Sequence, residues 1–284
     1  MRSRNLARRT STVLIGLLVA AFLVPVSATS AAAFLTPGGG SGPYPAEYET
    51  TFRLPEHTIY RPVTLPENEQ LPIVAWGNGA CQADGTMFEE ILTEFASHGF
   101  LVIANGSPDG FGSTDAEMLT ESIDWAIDEN DRWFSEYRGH IDTDSVAVMG
   151  QSCGGLETYE VADDPRITTT VLWNSGLLND ADNYLLTRLH APIAYFAGGP
   201  DDIAYENAMD DWDRLPAGLP AFMGNLDVGH FGTYDETNGG EYGRVGTDWL
   251  KWQLKGDQTA KQQFVGPNCG LCSTEWDVRQ KNLS

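Results

Sequence analysis

The stretch SVAVMGQSCGG, residues 145–155, decides the fold. Its first half is an apolar run that predicts a buried strand, closed by Gly150. Its second half has the G-x-S-x-G spacing, and a helix is predicted from about Gly154. A serine with glycines on both sides, placed between a strand and a helix, indicates a sharp turn that lifts Ser152 above the end of a sheet. A chance glycine-rich turn is the alternative, and the flanking elements disfavour it.

Strand-like runs and helical spacings alternate on both sides of this stretch. The other predicted strands are 58–64, 71–76, 100–104, 167–173, 193–197 and 221–225, and the predicted helices include 87–96, 116–130 and 247–254. Strands separated by helices need crossover connections, which predict an α/β fold with a mostly parallel central sheet. The carboxyl ends of the strands should then carry the functional loops. Residues 177–191 hold one helix at most, so no large lid domain is expected.

The N-terminus has the order of a secretory signal peptide. A basic start precedes an apolar run over residues 13–26, and small residues follow up to residue 33. The apolar run is short for a membrane span, which disfavours the alternative of an uncleaved membrane anchor. We therefore expect residues 1–33 to be a signal peptide and the protein to be extracellular.

Composition shifts predict how the rest of the chain is organised. Residues 34–48 are rich in glycine and proline, which predicts a flexible N-terminal lead. Residues 49–265 carry the alternating elements and are expected to form one domain. Residues 266–284 are expected to be a C-terminal tail, and they contain a C-x-x-C motif.

The charge balance narrows the classes of partner. The 284 residues include 17 Lys and Arg against 40 Asp and Glu, a net charge of -23. So acidic a surface repels phosphate backbones and anionic headgroups, which disfavours nucleic-acid binding and docking on anionic membranes. We expect no nucleic-acid partner, no membrane insertion and a monomer.

A serine nucleophile needs a general base, and His230 is the best-placed histidine. It lies directly after the last predicted core strand. The base needs an acid to orient it, and the adjacent Asp201 and Asp202 follow the strand predicted over 193–197. The residues alone leave the choice between the two aspartates open. The order serine, aspartate, histidine is that of hydrolases with this motif, and such a triad needs no metal or cofactor.

Two backbone N–H groups should stabilise the developing oxyanion. One belongs to Cys153, directly after the predicted nucleophile. The other should come from the glycine-containing loop after the strand 71–76, where Asn78 is the first choice and Gly79 the second. An ordinary strand-ending turn is the alternative interpretation of this loop.

The four cysteines are expected to form two disulfides, because the chain is expected to be exported to an oxidising compartment. Cys81 ends the oxyanion loop and Cys153 follows the nucleophile, and both segments must converge on one oxygen. We therefore expect a Cys81–Cys153 bridge and a Cys269–Cys272 bridge. The alternative is that Cys153 is a buried free thiol. A zinc site is disfavoured, because the single C-x-x-C has no histidine near it.

Over about residues 58–255 the chain resembles the α/β-hydrolase superfamily. Within it, the chain looks most like secreted serine esterases of the cutinase-like polyester hydrolase and dienelactone-hydrolase-like groups. The matching stretches are SHGFLVI (97–103), IDT (141–143) leading into VAVMGQS (146–152), and DDIA (201–204). The resemblance implies the α/β-hydrolase fold. It also implies an acid two residues before Ile-Ala, which maps onto Asp201, and an oxyanion donor that maps onto Asn78.

The resemblance implies hydrolysis of carboxylic esters by Ser152, His230 and Asp201. The expected absence of a lid domain favours bulky or polymeric esters, such as polyesters or plant cell-wall esters, as substrates. Four aromatic residues near the predicted loops are candidates for lining the cleft: Trp76, Phe111, Tyr205 and Phe231. The chain departs from the group at two positions, with Cys153 where methionine is usual and Gly176 where a cleft tryptophan is usual. The rival functions are a peptidase or amidase of the same fold and a non-catalytic binding protein.

Overall fold

A computed structural model describes residues 38–284, so the predicted signal peptide lies outside the described residues. The strands are β1 (Ala46–Thr51), β2 (Leu54–Pro62), β3 (Leu71–Gly77), β4 (Leu101–Asn105), β5 (Ile141–Gln151), β6 (Thr169–Trp173), β7 (Ile193–Ala197), β8 (Ala221–Asn225) and β9 (Asp277–Lys281). The α-helices are α1 (Glu89–Ser97), α2 (Glu117–Asp131), α3 (Cys153–Val161), α4 (Tyr205–Arg214), α5 (Gly240–Lys255) and α6 (Gln258–Lys261). No helix within residues 38–284 combines the length and apolarity that a membrane crossing needs.

The strands form one sheet in the order β1-β2-β4-β3-β5-β6-β7-β8-β9. Strands β3 to β8 run parallel, whereas β1, β2 and β9 pair antiparallel at the two edges. The expected α/β class with a mostly parallel sheet is confirmed. Strand β5 is the middle strand of the sheet and ends at Gln151. Ser152, the next residue, therefore lies at the centre of the carboxyl edge.

Helices cover the sheet on both faces, which explains why its parallel strands are continuous apolar runs. Successive side chains of β3 alternate between two buried clusters. Val74 and Trp76 pack in the cluster that contains residues of α1 and α5, whereas Ile73 and Ala75 pack in the cluster that contains residues of α2. The sheet is therefore a rigid central layer on which the loops at its carboxyl edge are mounted.

The described part of the expected N-terminal lead is held against the domain. Gly39 exchanges backbone hydrogen bonds with Ala46, and β1 begins at Ala46 rather than after residue 48. The N–H and hydroxyl of Ser41 donate to the carboxylate of Glu94 on α1, at 2.7 and 2.6 Å. The expectation of a flexible segment is wrong for residues 38–48, because local glycine content did not reveal these long-range contacts.

The C-terminal residues are part of the sheet and not a separate tail. Strand β9 pairs antiparallel along the whole of β8. The folded unit therefore extends beyond residue 265, where the sequence predicted its end. The alternation of DVRQK is typical of an exposed edge strand, a weak pattern that the composition of the segment concealed.

Candidate active site

Ser152 occupies a strained turn between β5 and α3. Its backbone has φ 52° and ψ −115°, a conformation that non-glycine residues rarely adopt. The turn is held by the backbone, because the N–H of Ser152 donates to the carbonyl of Trp173 on β6 at 2.9 Å. The hydroxyl of Ser175 donates to the carbonyl of Ser152 at 2.7 Å. The predicted strand-turn-helix geometry is confirmed.

Gly154 explains why the motif needs a glycine after the serine. A methyl group on its Cα would lie 2.1 Å from the carbonyl carbon of Gly77 and 2.6 Å from the backbone nitrogen of Asn78. Contacts of this length are shorter than any van der Waals separation. The first turn of α3 therefore packs directly on the loop after β3, the loop expected to carry the second oxyanion donor.

His230 lies between Ser152 and an aspartate. Its Nε2 is 3.0 Å from the Ser152 Oγ, and its Nδ1 is 2.6 Å from the Oδ1 of Asp202. An ionised carboxylate only accepts hydrogen bonds, so Nδ1 carries the proton and Nε2 is free to accept the serine proton. The histidine loop is anchored by the side chain of Gln151, whose Nε2 donates to the His230 carbonyl at 3.1 Å.

The sequence-based choice of Asp201 as the acid is wrong: its neighbour Asp202 contacts His230. Asp202 is 3% exposed, whereas the side chain of Asp201 points into solvent. The backbone N–H groups of Ala204 and Gly198 each donate to the Asp202 carboxylate at 3.0 Å. These contacts close a tight turn after β7 that directs the second aspartate inward, an arrangement that motif spacing alone does not reveal.

The pKa of Asp202 is lowered even though the group is buried. Burial by itself raises the pKa of this carboxyl. Hydrogen bonds from His230, the Ala204 N–H, the Asn174 side chain and the Gly198 N–H outweigh burial and bring the pKa below its ordinary value. Asp202 is therefore ionised at neutral pH, the state that can stabilise a protonated His230.

The loop after β3 is built around the side chain of Asn78. Its Nδ2 lies 3.0, 2.9 and 2.6 Å from the carbonyl oxygens of Gln82, Asp84 and Asn105, so its two hydrogens are shared among three acceptors. Its Oδ1 accepts from the indole of Trp76 at 3.1 Å. The backbone N–H of Asn78 has no protein acceptor among the described residues, and neither has the backbone N–H of Cys153. Those are the two N–H groups that the sequence predicts as oxyanion donors.

Both expected disulfides are present. Cys81 and Cys153 are bridged across a Cα separation of 5.1 Å, so Cys153 is not a free thiol. Cys81 has a φ of 49° and follows Ala80 at 53°, so the bridge closes on a strained turn. It joins the oxyanion loop covalently to the residue after Ser152.

The second bridge, Cys269–Cys272, has a Cα separation of 5.0 Å. Its two sulfurs are consumed by this bond and are therefore not thiolate ligands. Across residues 38–284 there is no group of three or more His, Cys, Asp or Glu side chains placed to hold a metal ion.

Of the four aromatic residues predicted to line the cleft, Trp76 does not, so that prediction is wrong. It is fully buried, and its ring packs against Phe88 and Tyr234 with centroids 5.3 and 6.5 Å apart. Trp76 lies under the Asn78 loop because alternate side chains of a buried strand point into the core.

The other three candidates lie nearer the surface. Phe231 is 86% exposed, and its ring centroid is 5.7 Å from that of His230. Phe111 is 97% exposed and lies two residues before Ser113, which bridges to Gln82, the residue directly after the oxyanion loop. Tyr205 is half-buried at the start of α4. Their contact with substrate stays a prediction.

Position 176, where related enzymes are expected to carry a tryptophan, has no space for a side chain. A Cβ on Gly176 would lie 2.5 Å from the backbone nitrogen of Ala208 in α4. Trp173, three residues earlier, is buried and stacked on Phe196 with centroids 4.4 Å apart. Neither position 173 nor position 176 therefore presents a tryptophan ring at the surface.

Sequence reasoning missed two polar residues that hold the site together. Gln151 and Asn174 are both buried, and each ends or directly follows a parallel strand at the carboxyl edge. A polar residue at that position was the available signal, because this edge carries the functional loops of parallel sheets.

No curated protein matches the chain. The model of a family described as PET hydrolase-like matches residues 57–283, a range that includes Ser152, Asp202 and His230. The match covers well over half of the sequence and nearly all of the sheet. The chain therefore belongs to the PET hydrolase-like family.

Proposed function

We propose that this protein is a secreted serine hydrolase that cleaves carboxylic esters through Ser152, His230 and Asp202. Membership of the family implies carboxylic ester hydrolysis. The observation that carries the assignment of residues is the unbroken series of hydrogen bonds from the Ser152 hydroxyl through both His230 nitrogens to Asp202.

In the proposed mechanism, Ser152 Oγ attacks the ester carbonyl while His230 Nε2 takes its proton. The imidazolium that forms is stabilised by the ionised Asp202. His230 then returns the proton to the leaving alcohol, which departs and leaves an acyl group on Ser152. Water, activated by the same histidine, releases the acid and restores the enzyme.

The carbonyl oxygen becomes negatively charged during both attacks. We assign its stabilisation to the N–H groups of Asn78 and Cys153, which have no other acceptor in the described part of the chain. Cys153 is the first residue of α3, where the helix dipole also favours negative charge. The Cys81–Cys153 bridge supports this assignment, because it fixes the two donor segments to each other.

The substrate class we propose is bulky or polymeric esters with an apolar surface. Exposed apolar side chains directly follow both the acid and the base, because Ile203 is 80% exposed and Phe231 is 86% exposed. The segment between β6 and β7 consists of short loops and a 3₁₀ segment, Asp180–Arg188. These features favour an open cleft that a polymer chain can enter.

Secretion is part of the proposal. The two disulfides are typical of an oxidising compartment. The basic start and apolar run of the first 33 residues have the order of an export signal. N-terminal sequencing of protein recovered from the culture medium checks this point: a mature N-terminus near residue 34 is expected.

Labelling with a fluorophosphonate probe tests the proposed nucleophile. Wild-type protein should label and Ser152→Ala should not. If the wild-type protein failed to label, it would be a binding protein on a hydrolase scaffold. Hydrolysis of p-nitroanilide peptides faster than of p-nitrophenyl esters would instead identify a peptidase or amidase.

A substrate panel tests the polymer assignment. We expect release of acid from films of an aliphatic polyester and slower release from an aromatic polyester. The reason is that Gly176 provides no aromatic wall for a terephthalate ring. Activity on short soluble esters with none on either film would remove the polymeric substrate and keep the esterase.

A further inference from the structure

Asn174 has a buried side-chain amide that contacts both Asp202 and the loop that carries His230. It directly follows β6, has a φ of 43° and is 1% exposed. Its Nδ2 lies 2.8 Å from the Oδ2 of Asp202 and 3.2 Å from the carbonyl of Gly229, the residue before His230. One side chain therefore touches the carboxylate and the histidine loop together.

The orientation of the amide follows from its partners. An ionised carboxylate accepts only, so the amide nitrogen must face Asp202. The amide oxygen accepts a hydrogen bond from the hydroxyl of Tyr234. Burial raises the pKa of Tyr234 well above its ordinary value, and Tyr242 and Asp202 add to the shift, so the phenol stays protonated and can donate to this oxygen. The carboxylate of Asp202 and the hydroxyl of Tyr234 therefore favour the same orientation of the amide.

The remaining contacts of Asp202 show what Asn174 adds. Oδ1 accepts from His230 and from the Ala204 N–H, whereas Oδ2 accepts from Asn174 and from the Gly198 N–H. Both backbone donors belong to the same turn as Asp202. Asn174 is thus the contact that ties the carboxylate to a neighbouring strand of the rigid sheet.

The surroundings make these hydrogen bonds effective. The Tyr234 ring packs edge-on against Phe88 and Tyr242, with centroids 5.0 and 5.2 Å apart, and Trp173 lies 6.2 Å away. Tyr234 and Asn174 are both buried. Polar contacts in such apolar surroundings are stronger than in water, and an unpaired group is costly.

We propose that Asn174, oriented by Tyr234, is a positioning residue that holds Asp202 and the backbone before His230 in the geometry needed for proton transfer. The proposal rests on the proposed serine hydrolase function. Asn174 touches neither the substrate nor the reacting atoms, so it acts through Asp202 and His230. Its loss should lower kcat and leave KM for a soluble ester unchanged, since the ester-binding surface is intact.

The test compares Asn174→Leu and Tyr234→Phe with Tyr195→Phe. Tyr195 is also a buried, hydrogen-bonded tyrosine, but its partner is Tyr159 in a different cluster, so it is the matched control. We expect kcat on p-nitrophenyl butyrate to fall about ten- to hundredfold in Asn174→Leu and about tenfold in Tyr234→Phe, as is usual for residues that orient a catalytic group. Tyr195→Phe should keep wild-type kcat.

Two further readouts separate positioning from a general structural role. The deshielded NMR signal of the proton between His230 and Asp202 should be lost or broadened in Asn174→Leu and kept in Tyr195→Phe. Tyr234→Phe should have no further effect on kcat in the Asn174→Leu background, because Tyr234 acts through the amide. If Asn174→Leu does not fold, Tyr234→Phe, which removes one oxygen, decides the question.

The outcomes distinguish this proposal from the function on which it rests. Wild-type kcat and an intact proton signal in both variants, with Ser152→Ala inactive, would overturn the role of Asn174 alone. Full activity of Ser152→Ala would overturn the serine mechanism itself.

Discussion

The two sides of Ser152 are held in place by different means. On the oxyanion side, a covalent bond joins Cys81 to Cys153 and closes a turn with two strained residues. On the acid-base side, Asp202 and His230 are held by hydrogen bonds from Asn174, Gln151 and turn backbone. The oxyanion side should therefore be sensitive to loss of one bond, and the acid-base side to replacement of single polar groups.

The largest expected effect comes from removing either Ser152, the nucleophile between the two sides, or His230, its general base. Ser152→Ala and His230→Ala should each lower kcat/KM for p-nitrophenyl butyrate by about 10⁵-fold, because nucleophile and base act as one unit. Thermal unfolding should match the wild type. Substantial activity in Ser152→Ala would contradict both halves of the comparison.

On the acid-base side, the adjacent aspartates provide a matched pair. Asp202→Asn should lower kcat by about 10³- to 10⁴-fold, since an amide at this position favours the wrong histidine tautomer. Asp201→Asn removes a solvent-exposed carboxylate and should stay within about twofold of wild type. Kinetics of the two variants at pH 8 checks the assignment, and the opposite ranking would return the role to Asp201.

On the oxyanion side, the two disulfides are each other's control. Replacing Cys81 and Cys153 with serine should lower kcat about ten- to hundredfold, because two donors lose their fixed spacing. Replacing Cys269 and Cys272 should leave kcat unchanged.

Loop length predicts a stability difference between the same two double variants. The bridged cysteines are 72 residues apart in the first case and 3 in the second. Loop entropy therefore predicts a loss of about 4 kcal/mol against less than about 2 kcal/mol. Urea unfolding measures both, and equal kcat values in the two double variants would show that the first bridge is only a structural brace.

Outside both sides, the buried Asp211 of α4 should affect the pH dependence of stability but not kcat. Its Oδ2 accepts hydrogen bonds from the Tyr159 hydroxyl at 2.6 Å and the Leu177 N–H at 2.8 Å. Burial nevertheless raises its pKa to about 6. The folded state then binds a proton that the unfolded state has lost, so this contribution to stability is present below about pH 4 and is lost as pH rises to about 6.

In the wild type, deprotonation of Asp211 should lower the free energy of unfolding as pH rises, by up to about 3 kcal/mol at 1.36 kcal/mol per pKa unit. Asp211→Asn should abolish this pH-dependent decrease. Urea unfolding at pH 4, 5, 6 and 7 checks it. Asp213→Asn, at an exposed position of the same helix, is the control and should keep the wild-type pH profile. An identical profile for Asp211→Asn would show that Asp211 is ionised throughout this range.

The sequence predicted the parts of the site whose geometry is local. The strand, turn and helix around Ser152 follow from one short stretch, and His230 follows from its place after the last parallel strand. The disulfide partner of Cys153 could be predicted as well, because two oxyanion donors must converge on one atom.

The parts that the sequence did not predict depend on contacts between distant residues. Asp202 instead of Asp201 is decided by how a tight turn closes on Gly198. Trp76 is buried because neighbouring rings cover it, and Asn174 matters only because β6 lies beside β7. Likewise, β9 joins the sheet through pairing with β8, for which local composition gives only a weak signal.

The position of the Cys81–Cys153 bond along the chain has a consequence for assembly during synthesis. Cys81 precedes α3 and Cys153 is its first residue, whereas Asp202 and His230 follow β7 and β8. Strands β1 to β5 are already neighbours in the sheet, so they can pair before the later strands are made. The disulfide of the oxyanion side therefore joins two residues that both precede β6, whereas the proposed acid and base complete the site only when β7 and β8 have joined the sheet.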